Sequence, residues 1–424
     1  MAADPSPFRL AGAAPRPSRR AALLLAGALS LGAGFGAGLG AAIRPAAAAE
    51  GGFQSGAPSA ILVDAETGTI LYEKEADRPI QPASLAKVMT AAVVFDRLST
   101  GKIKLDTEFF VSPDAWRRGG GPSGGAAMFA EVNKPVSVDN LLTGAFAIGG
   151  NDAALTLAEG VGGSESVFVR LMNETAQKIG MKNTVFRNAT GFADPAQLTT
   201  ARDLATLARH VIRTYPDYYP VFARPGIDWN KIRQRNRNPF LEAGIGADGL
   251  QVGWLKDVGN NALVSAIGGA HRQRLIAVIL GAKTEKERLE EGKRLLDWGF
   301  QSFQQRALFS GGKEVARAKV FGGAESSVGL AARGPVFVLA SRVSTERVVA
   351  RVTYRGPLVA PVAKDTQVGT LTISRGQAKV LEVPLYTTAD VPTGSLARRA
   401  FDGAMTLTGD GIRDMVGKVL AKLH

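Results

Sequence analysis

The stretch Ile80-Gln81-Pro82-Ala83-Ser84-Leu85-Ala86-Lys87-Val88-Met89-Thr90 places a proline, a serine and, three residues on, a lysine where an apolar run to Leu98 begins. The run lacks strand punctuation, so a buried helix starting near Ser84 is expected. A spacing of three sets Ser84 and Lys87 on one face, about one turn apart. A desolvated amine has an accessible neutral form, which can take the Ser84 proton during nucleophilic attack. The helix N-terminus favours negative charge developing there. The same spacing also suits a helix cap beside a solvated lysine, so the surroundings must decide.

Upstream, Ser59 to Asp64 and Thr69 to Lys74 read as two strands joined through Glu66-Thr67-Gly68. Downstream, residues 116–125 are glycine-rich and expected as loop, and Val138 to Gly160 reads as two helices broken at Gly149-Gly150. Residues 165–180 and 200–213 carry helical spacing, the second behind Thr199 and Thr200 as caps. Val258 to Gly268 and Leu275 to Leu280 read as core strands, and Glu285 to Trp298 as a helix. From about 316 to 390, short strands alternate with Gly, Pro and Asp turns, as in a small all-β domain. Ile412, Met415, Val416, Val419, Leu420 and Leu423 then form an apolar helical stripe beside Arg413, Lys418 and Lys422. Such a stripe can pack on its own domain or rest at a membrane interface.

With 45% hydrophobic and 21% charged residues the 424-residue chain is globular, with enough length for two or three domains. Zero cysteines exclude disulfides and thiolate chemistry, and the three histidines, His210, His271 and His424, lack ligand spacing. No metal or other cofactor is implied. The net charge of +13 favours anionic surroundings. Nucleic acid is not favoured, because the basic run Lys231-Ile232-Arg233-Gln234-Arg235-Asn236-Arg237 has no interleaved aromatics; an anionic membrane face or an acidic polymer suits the charge better.

Ala21 to Ile43 is an Ala/Leu/Gly run behind an arginine-bearing start, and Ala46 to Ala49 offers a cleavage site. Residues 1–49 are expected to be a signal peptide cut after Ala49, with retention as an anchor the alternative. Ser18-Arg19-Arg20 resembles a twin-arginine export signal.

The wider pattern resembles the low-molecular-weight penicillin-binding proteins, serine D-alanyl-D-alanine carboxypeptidases. Beyond Ser84-Leu85-Ala86-Lys87, the resemblance rests on Val63 to Gly68, Gly149 to Ala154, Asn188 to Phe192, Thr200 to Ala205, Arg235 to Asn238, Asp248-Gly249-Leu250 and Leu275 to Val278. It implies an α+β fold of the penicillin-binding, β-lactamase-like type, with a smaller C-terminal all-β domain and a terminal amphipathic helix. The expected domains are 54–313 for catalysis, 314–398 for the β-rich domain and 399–424 for the helix. The implied partners are peptidoglycan peptides and, as covalent inhibitors, β-lactams. The implied location is the periplasm or outer face of the inner membrane, with peripheral contact through the terminal helix.

By the same resemblance Ser84 is the nucleophile, Lys87 its base and Asn151 the polar partner of the base, while Ser84 and Trp254 supply the backbone oxyanion donors. Two motifs depart from the family. Gly149-Gly150-Asn151 stands for Ser-x-Asn, removing a hydroxyl, and Gln251-Val252-Gly253 stands for Lys-Thr-Gly, removing a charge and a hydroxyl. Substrate contacts are expected from Gln251, Gly253, Trp254 and Arg237, the last as carboxylate partner. Three activities stay open: a D-Ala-D-Ala carboxypeptidase acting through an acyl-enzyme, a non-catalytic wall-binding or scaffolding homologue, and an endopeptidase acting on chains without a free carboxylate.

Overall fold

A computed structural model describes residues 53–269, 272–342, 348–375, 378–407 and 417–419. The expected signal peptide, His271 and His424 lie outside the described residues. β1 (Ser59–Asp64) and β2 (Ile70–Lys74) form the expected hairpin. A 3-10 turn, Ala83–Ala86, then leads into α1 (Lys87–Ser99). β3 (Glu108–Phe110) pairs with β4 (Pro135–Ser137) around α2 (Pro113–Gly119). Helices α3 (Val138–Phe146), α4 (Asn151–Gly162), α5 (Glu165–Ile179) and α6 (Ala201–Thr214) follow. β5 (Gly226–Trp229) and β6 (Ile232–Arg235) make a second hairpin, and β7 (Ala247–Leu255), β8 (Gly259–Gly268) and β9 (Gln273–Ala282) a meander that ends in α7 (Glu285–Ser302).

The central sheet has the order β2-β1-β9-β8-β7, antiparallel throughout, with β7 on its edge. Alternate residues face opposite layers. Ile61, Val63, Ile276 and Val278 join the core of α1 and α3 to α6, whereas Ala60, Leu62, Ala277 and Ile279 meet Leu295 and Leu296 of α7. Both faces of β1 are therefore buried.

Local chemistry sets the helix ends. Thr200 Oγ1 accepts from the Asp203 N–H at 3.1 Å, and Thr284 Oγ1 from the Glu287 N–H at 3.1 Å. The glycine-rich segment expected as loop over 116–125 begins inside a helix instead: Ser112 Oγ accepts from the Ala115 N–H at 2.9 Å and Pro113 occupies the first turn, so α2 extends to Gly119.

After α7 come β10 (Phe303–Phe309), β11 (Glu314–Phe321), β12 (Ser327–Ala331), β13 (Val336–Ser341), β14 (Val348–Tyr354), β15 (Leu358–Val359), β16 (Gln367–Arg375) and β17 (Ala378–Thr387). β10 pairs with β13, and the other six, joined by β18 (Gly417–Val419), build a seven-stranded sheet over a separate core that includes Ala318, Leu330, Leu371, Ile373 and Leu385. The described part of the terminus is α8 (Leu396–Leu407) and β18 (Gly417–Val419). Ile412, Met415, Val416, Leu420 and Leu423 of the expected stripe lie outside the described residues. At Gly417–Val419 the chain is a strand rather than helix, because it meets the open hydrogen-bonding edge of β14.

Phe95 of α1 ties the helix that begins at Lys87 to its surroundings through ring contacts with Phe146, Tyr215, Tyr218 and Phe222. Phe95→Ala is expected to cost about 3 to 5 kcal/mol in a denaturant unfolding experiment.

Candidate active site

Ser84 and Lys87 straddle the junction of the 3-10 turn and α1, and Lys87 Nζ reaches Ser84 Oγ at 3.3 Å. The lysine is fully buried, yet its amine has two further acceptors: Asn151 Oδ1 at 2.7 Å and the Thr190 carbonyl at 2.7 Å. Burial, then the positive charge of Arg237, lowers the Lys87 pKa to about 7, against an opposing pull from Asp152. A neutral amine is therefore accessible near neutral pH, as a serine-activating base requires.

Asn151 opens α4, and its position is fixed from both sides. Its N–H donates to the Ala126 carbonyl at 2.8 Å, and the following Asp152 carboxylate accepts from the N–H groups of Met128 at 2.9 Å and Ala130 at 3.0 Å. Burial raises the Asp152 pKa, and these backbone donors oppose that rise. Gly149 has φ +74° and open space at its Cβ position.

The third wall is the loop Asn188–Phe192. Asn188 Oδ1 accepts from the N–H groups of Gly191 at 2.7 Å, Phe192 at 3.0 Å and Thr190 at 3.3 Å, which turns the Thr190 carbonyl toward Lys87. Gly191 has φ +86°, and a Cβ there would stand 1.8 Å from the Ala83 carbonyl oxygen, so glycine is required on two counts. Ala83 itself has φ +51°, a costly backbone state for a residue with a side chain, next to Ser84.

The edge strand β7 closes the site. A Cβ on Gly253 would lie 2.8 Å from the Ser84 nitrogen, so the strand and the Ser84 backbone are in direct contact. The next residue, Trp254, is 59% exposed. Gln251 is 3% exposed; its amide donates weakly to the Phe146 carbonyl at 3.4 Å, and its Oε1 accepts from the Val252 N–H at 3.1 Å. Arg237 has an exposed side chain and is anchored by its N–H to the Ala147 carbonyl at 3.0 Å, just before Gly149. The fold thus gathers Ser84, Lys87, Asn151 and Gly253 around one point, carries the exposed Trp254 next in line on β7, sets Arg237 within electrostatic reach of Lys87, and turns the Gln251 amide inward.

Thr190, Asn188 and Asp152 were not singled out from the sequence as site residues. Asn188-Ala189-Thr190-Gly191 carries a turn signature, but nothing in it shows that a carbonyl will meet a lysine 103 residues away.

Residues 45–284 match the family described as D-alanyl-D-alanine carboxypeptidase, and residues 303–393 match the penicillin-binding protein 5 C-terminal domain. The chain belongs to the D-alanyl-D-alanine carboxypeptidase family. It is 36% identical over 349 residues to the D-alanyl-D-alanine carboxypeptidase DacC of Escherichia coli, covering 81% of this chain and 86% of that protein. The solved structure of penicillin binding protein 5 from Haemophilus influenzae superposes with a TM-score of 0.70 at 34% identity, covering 80% of this chain and 98% of that one. Penicillin-binding protein D2 from Listeria monocytogenes, solved in its ampicillin-bound form, has a TM-score of 0.52 at 27% identity, covering 58% of this chain and 98% of that one. The family assignment and the α+β penicillin-binding fold read from the sequence are both borne out.

Two outcomes follow from this geometry. Acylation of Ser84 is expected to rise with pH through about 7 as Lys87 loses its proton, and Arg237→Gln, by removing a repelling cation, moves that rise to higher pH; stopped-flow acylation across pH checks both. Gly253→Ala forces β7 away from the Ser84 nitrogen, and acylation slows by about 10²-fold or more, the scale of losing an oxyanion donor.

Proposed function

We propose that this protein is a serine-type D-Ala-D-Ala carboxypeptidase acting on peptidoglycan stem peptides, with Ser84 as nucleophile. The observation that carries the proposal is the fully buried Lys87 amine, lowered to a pKa of about 7, hydrogen-bonded to Ser84 Oγ and held by Asn151 and Thr190. Ser84 Oγ attacks the carbonyl carbon of the penultimate D-alanine while its proton passes to Lys87. The backbone N–H groups of Ser84 and Trp254 hold the resulting oxyanion, a contribution of about 3 to 4 kcal/mol when one such donor is removed elsewhere. The C–N bond breaks, Lys87 returns the proton to the leaving amine, and D-alanine departs. Water then cleaves the Ser84 ester with Lys87 again as base, releasing the shortened peptide acid and free serine. Without a hydroxyl at Gly149, Lys87 carries the proton in both directions.

Recognition of the terminal carboxylate falls to Arg237, whose exposed guanidinium lies close enough to act on Lys87. Gly253 lets an extended substrate strand approach, and Trp254 flanks it. Gln251 contributes by fixing β7 against the Phe146 carbonyl. Its inward amide also favours a second reading, an endopeptidase whose cross-linked substrate has no free carboxylate at that point. A wall-binding homologue without turnover is the remaining alternative.

β-Lactams are expected to acylate Ser84, as mimics of the same substrate. An extracytoplasmic, periplasmic location follows from a wall substrate and the apolar run at 21–43. Among the described residues no helix is long and apolar enough to cross a membrane. Peripheral attachment is assigned to the terminal segment, where α8 exposes Leu396 and Phe401.

Intact-protein mass after incubation with a penicillin is the direct test. A covalent adduct absent from Ser84→Ala is expected. No adduct at high inhibitor and long incubation would sink the acylating-serine mechanism. Release of D-alanine from free-ended pentapeptide then separates carboxypeptidase from endopeptidase.

A further inference from the structure

The basic run at 231–237 folds into a hairpin whose construction gives its charges a direction. Trp229 pairs with Ile232 across the two-residue turn Asn230-Lys231, both with positive φ, +47° and +63°. This is the tight hairpin turn whose twist suits the flanking strands. Along β6, residues two apart share a face at a spacing of about 6.5 to 7 Å. Arg233 and Arg235 accordingly point to solvent together, while Gln234 between them is half-buried. Lys231 is exposed at the tip and Arg237 at the far end. Among the described residues Lys231, Arg235 and Arg237 form no ion pair, and Arg233, 83% exposed, has only Asp228 at 3.9 Å.

The hairpin is fastened to the catalytic centre. Asn230 Nδ2 donates to the Phe129 carbonyl at 2.7 Å and Gln234 Nε2 to the Ala127 carbonyl at 3.2 Å. That same segment, 126–130, receives the Asn151 N–H and is held by Asp152. A line of exposed cations therefore runs from the anchored tip at Lys231 through Arg233 and Arg235 toward Arg237. Such spacing matches an extended strand carrying carboxylates, whereas the bland alternative, independently solvated arginines, requires no anchoring of the strand to the site.

We propose that Lys231, Arg233 and Arg235 form a docking track for carboxylate-bearing peptidoglycan peptide, delivering the strand to the cleft. This rests on the wall-substrate reading above and extends it to residues outside the reacting centre. Single-stranded nucleic acid fits less well, because the track offers no aromatic platform between its cations.

The test uses the full chain in a Ser84→Ala background, so that binding is read without turnover and a failure of acylation leaves the measurement intact. Sedimentation with insoluble peptidoglycan is compared for this protein and for the added pair Arg233→Gln and Arg235→Gln. The pair is expected to weaken binding by about three- to tenfold at low salt, the scale of two exposed charge contacts, and the difference is expected to shrink as salt rises. Unfolding midpoints in denaturant serve as the fold check. Unchanged binding by the pair would overturn the proposal. So would an equal loss on peptidoglycan whose carboxylates have been amidated, or displacement from the wall by an oligonucleotide at lower concentration than by polyglutamate.

Discussion

A lysine amine with no solvent contact must find hydrogen-bond acceptors inside the protein, and this requirement at Lys87 organises the catalytic half of the molecule. Leaving such a group buried and unpaired costs several kcal/mol at least. Asn151 Oδ1 and the Thr190 carbonyl meet it at 2.7 Å each, and each is itself held: Asn151 by the start of α4 and the 126–130 segment, Thr190 by the Asn188 side chain. Three distant pieces of chain are thereby locked around one nitrogen. The arrangement has a stability consequence of definite sign. A lysine whose pKa is lower folded than unfolded binds fewer protons in the native state between about 7 and about 10.5. Its burial therefore opposes folding most below pH 7, and the penalty is relieved as pH rises through that interval.

The edge strand β7 shows which parts of the family chemistry depend on side chains and which do not. Gly253 lies against the Ser84 nitrogen, so the contact on which the proposed oxyanion site rests is a backbone contact and does not depend on the neighbouring side chains. Gln251 occupies a buried position of the strand, where an amide can satisfy itself on the Phe146 carbonyl and its own neighbour's N–H. A lysine there would need an acceptor for its charge. Glutamine at this position thus places no charge in the cleft and leaves no unpaired buried group.

Sequence reasoning reached these features unevenly. Ser84 and Lys87 can be paired because three residues in a helical turn have a fixed geometry, and the helix break is visible because two adjacent glycines, Gly149-Gly150, interrupt the helical spacing of α3 and α4. Thr190 was invisible as a site residue, since its contribution is a carbonyl whose direction depends on Asn188 and on the left-handed Gly191. The helix α2 was missed because the glycines that follow it drew the reading toward loop, outweighing the Ser112-Pro113 start signal. At Gly417–Val419 the periodic stripe suggested helix, but a vacant strand edge on β14 offers backbone hydrogen bonds that periodicity does not register.

On the carboxypeptidase reading proposed above, Arg237 links substrate recognition to base strength. In the free site its charge helps hold the Lys87 pKa down, second only to burial. A substrate carboxylate seated on Arg237 neutralises that field, so Lys87 gains proton affinity at the moment its serine is to be deprotonated. The base becomes stronger in the complex than in the free enzyme, at the expense of a smaller neutral fraction at pH 7. For a substrate with a carboxylate, the pH limb of the bound enzyme must then lie above that of the free enzyme. For a substrate or inhibitor without one, the two must coincide. The same cation that recognises a free chain end would in this way make the chemistry sensitive to whether a chain end is present.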